Sequence, residues 1–497
     1  MSVDDPAQGT DPVRAEDQAA ERPEEAPPTA DTTARQRGWA GLRPLVLRLH
    51  FYAGVLIAPF LLVAAVTGTL YAASFQIEKY LYADELRVPV GEHTVPLSRQ
   101  VRAALDAHPD GTLTSVRPSA EDGATTQVIL SDPSVAEDKS LTVFVDPYTA
   151  KVRGALESDF GALPFRSWVS DLHGNLHLGE PGRLYSELAA SWLWVVALGG
   201  LLLWVKRKRD GRGARGLLLP ERGAKGRKRT LTRHGAVGLW AVLGLVFLSA
   251  TGLTWSTYAG EKIDVLRTEL RGATPAITAT LPGAGEMAGG SGHGDHAGHG
   301  GGGGSHAKDP DIGIDRVFAV AREKKLTEAP LEIAAPSEGG AYVVKQIDKQ
   351  WPVHLDSIAV HPGTGAVVDE LRFADYPLLA KLTRWGIDGH SGVLFGLANQ
   401  IALAALMLGL ILLIVWGYRM WWQRRPARER RLGVGRPTPR GTWRRVPLPT
   451  LLPLVGALAV VGWLVPLFGI GLVLFLAVDT VVGLVARLVA RSRSARA

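Results

Sequence analysis

The sequence predicts an α-helical integral membrane bundle of about six transmembrane helices, with two extracytoplasmic α+β domains, built by internal duplication. Three observations predict it. Apolar runs long enough to span a bilayer recur along the chain. Clusters of Lys and Arg flank alternate runs, as the positive-inside rule requires. The histidines, glycines and turns of the first half return at matched spacing in the second.

Residues 1–38 are rich in Pro, Glu, Asp and Ala, cannot bury enough surface to order, and read as a disordered cytoplasmic tail. They lack the charged and apolar regions of a cleaved signal peptide, so the first span reads as an uncleaved anchor. Residues 39–74 hold the first span (TM1, about 50–73), and 75–170 the first outer domain. Residues 171–205 carry DLHGNLHLG and the second span (TM2, 185–205). Residues 206–230 form a basic cytoplasmic loop, and 231–258 hold the third span (TM3, 235–257). Residues 259–388 form the second outer domain with a Gly/His-rich insertion at 283–306. Residues 389–422 repeat the histidine motif and supply the fourth span (TM4, 395–418). A basic cytoplasmic segment follows at 423–446. The last apolar stretch, 447–490, is too long for one span and breaks near Val465–Pro466–Leu467–Phe468–Gly469, which predicts a hairpin of two short helices.

Orientation follows from KRKRDGRGARG after TM2, WWQRRPARERR after TM4 and the tail ARSRSARA. All three read as cytoplasmic, placing both termini inside and both large domains outside. The net charge of +7 therefore belongs to membrane topology and not to nucleic-acid binding. The GRGARG at 211–216 matches a dinucleotide fingerprint in form only, because it follows no strand and opens no βαβ unit. No P-loop, Ser/His/Asp triad or paired-carboxylate site stands out. With no Cys among 497 residues, disulfides, zinc–thiolate sites, Fe–S clusters and covalent c-type haem are excluded.

The repeat is visible residue by residue. His50, Gly54 and Thr67–Gly68 in TM1 match His234, Gly238 and Thr251–Gly252 in TM3 at identical spacing. WVSDLHGNLHLG at 168–179 matches WGIDGHSGVLFG at 385–396, which pairs His173 with His390 and sets His177 opposite Leu394. LTVFVDPYTAKVRGAL (141–156) resembles LDSIAVHPGTGAVVDEL (355–371), and both read as β-hairpins. Short amphipathic helices at 97–108 and 315–325 precede the strands of each outer domain.

Ionisable residues at a membrane edge are costly and tend to face a bundle interior. One such histidine is as readily an interfacial anchor or a helix-packing hydrogen bonder. Four at matched positions, two per leaflet, favour a shared task. His50 with His234 on the inner side, and His173 with His390 on the outer side, would each offer two opposed imidazoles to one haem iron, leaving no open site for O₂ and suiting electron transfer. Gly54 and Gly238, one turn from their histidines, give room for a flat macrocycle or serve close helix packing. His177 lines the haem edge or faces water.

These residues resemble the PepSY-associated transmembrane family over about 40–480. Leu49–His50 through Gly54, DLHGNLHLGEPGRLY with His173, Gly179, Gly182 and Arg183, VDPYTAKVRG, and ADYPLLAKLTRWGIDGHSGVLFG carry the resemblance. It departs at Ala150, where Gly is usual, and at His361, where Asp is usual. The resemblance implies a bacterial inner-membrane protein with PepSY-like outer domains and b-type haem, two copies here, on His50, His173, His234 and His390. Its implied activity is ferric or siderophore reduction, with a ferric siderophore as substrate; with no nucleotide site visible, the expected electron donor is quinol or a separate protein, and the expected surroundings are membrane lipid. The alternatives are an extracytoplasmic sensor or peptidase regulator, or a non-redox metal handler.

Other features have simpler readings. His293, His296, His299 and His306 lie in a flexible linker, which is either a passive insertion or a weak collector of Cu, Zn or Fe. Trp192, Trp194, Trp204, Trp255, Trp421 and Trp422 lie near span ends and read as an aromatic belt. Asp479, in the last hairpin, is a buried polar contact or an interfacial residue.

Overall fold

The computed structural model describes residues 30–159, 161–208, 215–281, 311–351, 355–424 and 446–494. The chain opens with α1 (Ala30–Leu56) and α2 (Ala58–Leu81), which meet at Ile57. The first span, read as one helix over 50–73, is thus divided, and His50 lies on the segment before the break. The cause is Pro59, which has no N–H for the Val55 carbonyl one turn back. The Tyr418 hydroxyl, from a helix described below, donates to that carbonyl at 2.9 Å. Such rescue by a neighbouring helix is what an apolar surrounding demands. The expected tail also shortens, because α1 starts at Ala30; residues 1–29 lie outside the described residues.

A one-turn α3 (Ala83–Leu86) leads to α4 (Leu97–Ala107) and four strands: β1 (Thr112–Arg117), β2 (Thr126–Ser131), β3 (Ser140–Val145) and β4 (Val152–Ser158). The chain returns through α5 (Pro164–Asn175) into the long apolar α6 (Glu180–Lys208). After the short α7 (Arg215–Leu218) come α8 (Gly226–Leu253) and α9 (Thr257–Glu269). The second half repeats the plan with α10 (Gly313–Glu323), β5 (Leu331–Ala334), β6 (Tyr342–Gln346), β7 (Ser357–Val360), β8 (Val367–Leu371), α11 (Leu378–His390) and α12 (Leu397–Trp422). The appended helices are α13 (Leu448–Leu464) and α14 (Pro466–Ser494).

The two α+β modules expected from the sequence share one sheet. Eight strands run in the order β4-β3-β2-β1-β5-β6-β7-β8, antiparallel at every junction. The halves meet where β1 pairs β5, at Ser115↔Ala334 and Val116↔Ile333. Helices α4 and α10 cover one face, burying Val101, Ala104, Val317 and Val320 against Val116, Val128, Ile333 and Val344. Beside this junction Glu332 of β5, nearly buried, pairs with Arg117 of β1 at 2.6 Å and Lys345 of β6 at 3.1 Å. Burial alone would raise its carboxyl, but the two cations outweigh that and hold it down at about 2.

The bundle closes as a ring: α1/α2 packs on α6, α6 on α8, α8 on α12, and α12 back on α2. Among the described residues, five helices are long and apolar enough to cross a membrane: α2, α6, α8, α12 and α14. The last pair was expected as two short helices. Only α13 is short, at 17 residues, whereas α14 has 29. Pro466 ends α13, and the two backbones then approach so closely that a Cβ on Gly462 would sit 3.1 Å from Gly469 Cα. Asp479 of α14 forms an ion pair with the buried Arg48 of α1, fastening the appended helix beside His50. The aromatic belt is also partly overturned. Trp192 and Trp204 are buried, Trp192 against Phe468 at 5.2 Å and Trp204 donating to the Leu217 carbonyl.

Candidate functional site

The four repeated histidines come together as two pairs, one toward the basic end of the bundle and one toward the sheet. At the basic end, His50 on α1 and His234 on α8 have ring centroids 6.3 Å apart at 74°. His50 Nδ1 lies 3.0 Å from the Val196 carbonyl on α6, and His234 Nδ1 lies 3.1 Å from the Leu413 carbonyl on α12. A carbonyl oxygen can only accept, so each Nδ1 carries the hydrogen and each neutral ring keeps its lone pair on Nε2. Val196 and Leu413 stand at equivalent places in the two halves, so each half holds its own histidine and presents it to the other.

Toward the sheet, His173 at the end of α5 and His390 at the end of α11 have centroids 6.5 Å apart at 54°. Their Nδ1 atoms meet hydroxyls: Thr67 Oγ1 at 2.9 Å and Thr251 Oγ1 at 2.7 Å. Each hydroxyl donates back to its own helix, Thr67 to the Val63 carbonyl at 2.9 Å and Thr251 to the Phe247 carbonyl at 2.8 Å. It therefore accepts from the imidazole N–H, and again Nε2 is left free. The next residue makes room for the ring: a Cβ on Gly68 would sit 3.2 Å from His173 Cε1, and one on Gly252 would sit 3.5 Å from His390 Cε1. The buried Glu78 carboxylate accepts from the Arg166 N–H at the start of α5, which seats the helix that carries His173.

Two axial nitrogens on opposite sides of one metal, each at about 2 Å with its ring centre about 1 Å further out, put centroids about 6 Å apart. Both pairs match that spacing. All four histidines are half-buried as residues. A Cβ on Gly54 would meet nothing within 4 Å, and one on Gly238 only Leu413 at 3.6 Å, so tight helix contact does not explain Gly54. Among the described residues no three His, Asp or Glu side chains converge on one point. The residues fit a bis-imidazole iron porphyrin on donor set, ring spacing and tautomer.

His177 does not join His173. Leu176 and His177 both adopt positive φ, 56° and 54°, and turn the chain away after α5. The His177 ring packs on Trp168 at 4.9 Å. It borders a polar depression of about 280 Å³ with Lys139, Asp159 and Asp171. Burial there would lower the Lys139 ammonium, but its hydrogen bond and charge contact with Asp159, with Asp171 nearby, raise it overall. His361 takes over the turn role of Asp146. Asp146 accepts from the Tyr148 and Thr149 N–H groups, and His361 Nδ1 accepts from those of Gly363 and Thr364. His293, His296, His299 and His306 lie outside the described residues.

Sequence reasoning missed four holding groups. In the sequence Thr67 and Thr251 stand out only as markers of the repeat. Their place 17 residues after His50 and His234, about 26 Å along a helix, was the signal that they meet the far pair. The Val196 and Leu413 carbonyls have no signature in the side-chain code.

A family model described as the PepSY-associated TM region matches residues 47–424. No curated protein matches.

Proposed function

The chain belongs to the PepSY-associated transmembrane family, and on that premise we propose that it is a haem b-containing membrane oxidoreductase that moves electrons across the bilayer to an extracytoplasmic ferric substrate of the siderophore class. The observation that supports this most is the pair of imidazole pairs, at 6.3 and 6.5 Å, with every Nδ1 engaged and every Nε2 free. His50 and His234 would hold one group and His173 and His390 the second. When bound there, an iron porphyrin would supply one-electron transfer.

The residues of the chain have definable tasks in this reading. The Val196 and Leu413 carbonyls, and the Thr67 and Thr251 hydroxyls, fix ring orientation and raise ligand basicity. Gly54 leaves the face beside His50 open. The depression beside α5, with Lys139, Trp168 and His177, is where a polar substrate would rest nearest the sheet-end pair. The electron donor in this reading is quinol or a separate protein, and the basic end of the bundle is the cytoplasmic side.

Protein purified from cells supplied with haem should show a Soret band, and dithionite should sharpen its visible bands as expected of two six-coordinate low-spin haems. The dithionite-reduced protein should reoxidise on addition of a ferric siderophore under argon. A colourless, folded protein overturns the haem reading and leaves a sensor or peptidase-regulatory role. A coloured protein that no ferric chelate reoxidises overturns the substrate class alone.

A further inference from the structure

At the basic end a cleft of about 630 Å³ opens between residues 219–225 and the start of α8. Four cations line it: Arg222, Lys225, Arg229 and Arg233. Its one acid, Glu221, is paired with Lys228 at 2.8 Å. Among the described residues, no carboxylate pairs with the four lining cations. An apolar surface adjoins the cleft. The Trp204 and Trp240 indole N–H groups donate to the Leu217 and Leu218 carbonyls at 3.1 and 3.0 Å, drawing α7 back along α6 and α8. Leu219, which lines the cleft, continues into Leu218 and Trp240, and the exposed Trp240, Leu243 and Phe247 form one stripe along α8. Positive charge in the cleft and an exposed apolar stripe further along the same helix have the polarity of a phospholipid.

We propose that this cleft binds an anionic phospholipid, with the phosphate of its headgroup among Arg222, Lys225, Arg229 and Arg233 and an acyl chain along Trp240, Leu243 and Phe247. Clustered Lys and Arg at a membrane surface attract anionic headgroups roughly in proportion to their number, and basic pockets between spanning helices are suited to such headgroups. A free phosphate would satisfy the charges and leave the apolar track unused. The lipid is favoured because the cleft and the apolar stripe are then both occupied. Arg233 adjoins His234, so the lipid would brace the start of the helix that presents one of the basic-end imidazoles. The binding proposal itself does not require that either histidine holds a cofactor.

The test is native mass spectrometry of the full chain in detergent, titrated with phosphatidylglycerol or phosphatidylcholine. The protein should retain phosphatidylglycerol preferentially. The R222Q/K225Q/R229Q variant should weaken that retention on the order of 100-fold, at several-fold per cation, while Lys at 222 and 229 with Lys225 kept should restore most of it. Trp240→Ala should weaken retention of phosphatidylglycerol with the charges intact. Size-exclusion profiles matching the parent chain would show that the variants fold. Equal retention of both lipids, an unaffected triple variant, or an insensitive Trp240→Ala would overturn the proposal. Displacement of the lipid by millimolar inorganic phosphate would also overturn it, in favour of a free anion.

Discussion

The two histidine pairs have nearly the same ring spacing and are held by different means. At the basic end both Nδ1 atoms bond to helix carbonyls, Val196 and Leu413. At the sheet end both bond to side-chain hydroxyls, Thr67 and Thr251. A carbonyl cannot be removed by substitution, so the basic-end pair is specified mainly by helix packing. The sheet-end pair depends on two hydroxyls, and evolution or mutagenesis can adjust them one at a time.

Crowding provides the sharpest way to break the comparison. A Cβ on Gly200 of α6 would lie 2.9 Å from His50 Cε1, whereas one on the equivalent Gly417 of α12 would meet nothing within 4 Å. If the proposed haems are bound, Gly200→Leu should displace His50 and abolish binding at the basic-end pair, halving haem per chain. Gly417→Leu should leave the stoichiometry unchanged. Pyridine haemochrome assay of both variants checks this, and equal losses would refute the asymmetry. The hydroxyls come next. Thr67→Val and Thr251→Val should each weaken cofactor retention at the sheet-end pair by about 10–100-fold, the usual cost of losing a group that orients a ligand. Serine at either position should restore it. If both pairs hold the proposed haem, redox titration should show only one of two midpoint potentials moving, and movement of both would mean that the pairs are not held independently.

The junction between the halves tests whether the sheet supports the sheet-end pair. Glu332→Gln leaves Arg117 without its partner and should destabilise the protein by about 3 kcal/mol, as breaking a buried pair does. The pH dependence has a definite sign. The Glu332 carboxyl is held at about 2 against an ordinary 4.5, so its contribution, about 3 kcal/mol at most, is complete above pH 4.5 and is lost as pH falls through about 2. Thermal unfolding of Glu332→Gln should therefore depend less on pH between 5 and 2 than that of the parent chain. An unchanged profile would remove Glu332 from the account. The smallest effect lies in the two hairpin turns. Ala150 and Gly365 hold the same turn position at φ 58° and 72°. Ala150→Gly should relieve strain and stabilise by about 0.5–1 kcal/mol, and Gly365→Ala should destabilise by about 1 kcal/mol. Urea unfolding of the pair decides it.

Much of this was legible because periodicity and repetition leave marks in a sequence. The long apolar helices, the hairpins over 141–156 and 355–371, and the amphipathic α4 and α10 follow from alternation and helical spacing. The internal alignment chose His173 over His177, and the structure puts His173 opposite His390 and His177 on Trp168. What stayed hidden depends on contacts between distant segments. The β1–β5 junction rests on two residue pairs and has no pattern of its own. The Ile57 break follows from Pro59, yet its tolerance depends on Tyr418, more than 350 residues away. Trp192 and Trp204 looked like lipid-facing anchors, because the alphabet does not say which side of a helix a neighbour will cover.

The antiparallel meeting of β1 with β5 has one more consequence. Each half supplies one imidazole to each pair and one inner strand to the sheet, so half of this molecule would have two lone histidines and a bare strand edge. Two identical halves would cure both defects by pairing about a two-fold axis. The present chain has the form of two such halves joined end to end, the first with Asp146 at its turn and the second with His361 there and a Gly/His-rich insertion at 283–306.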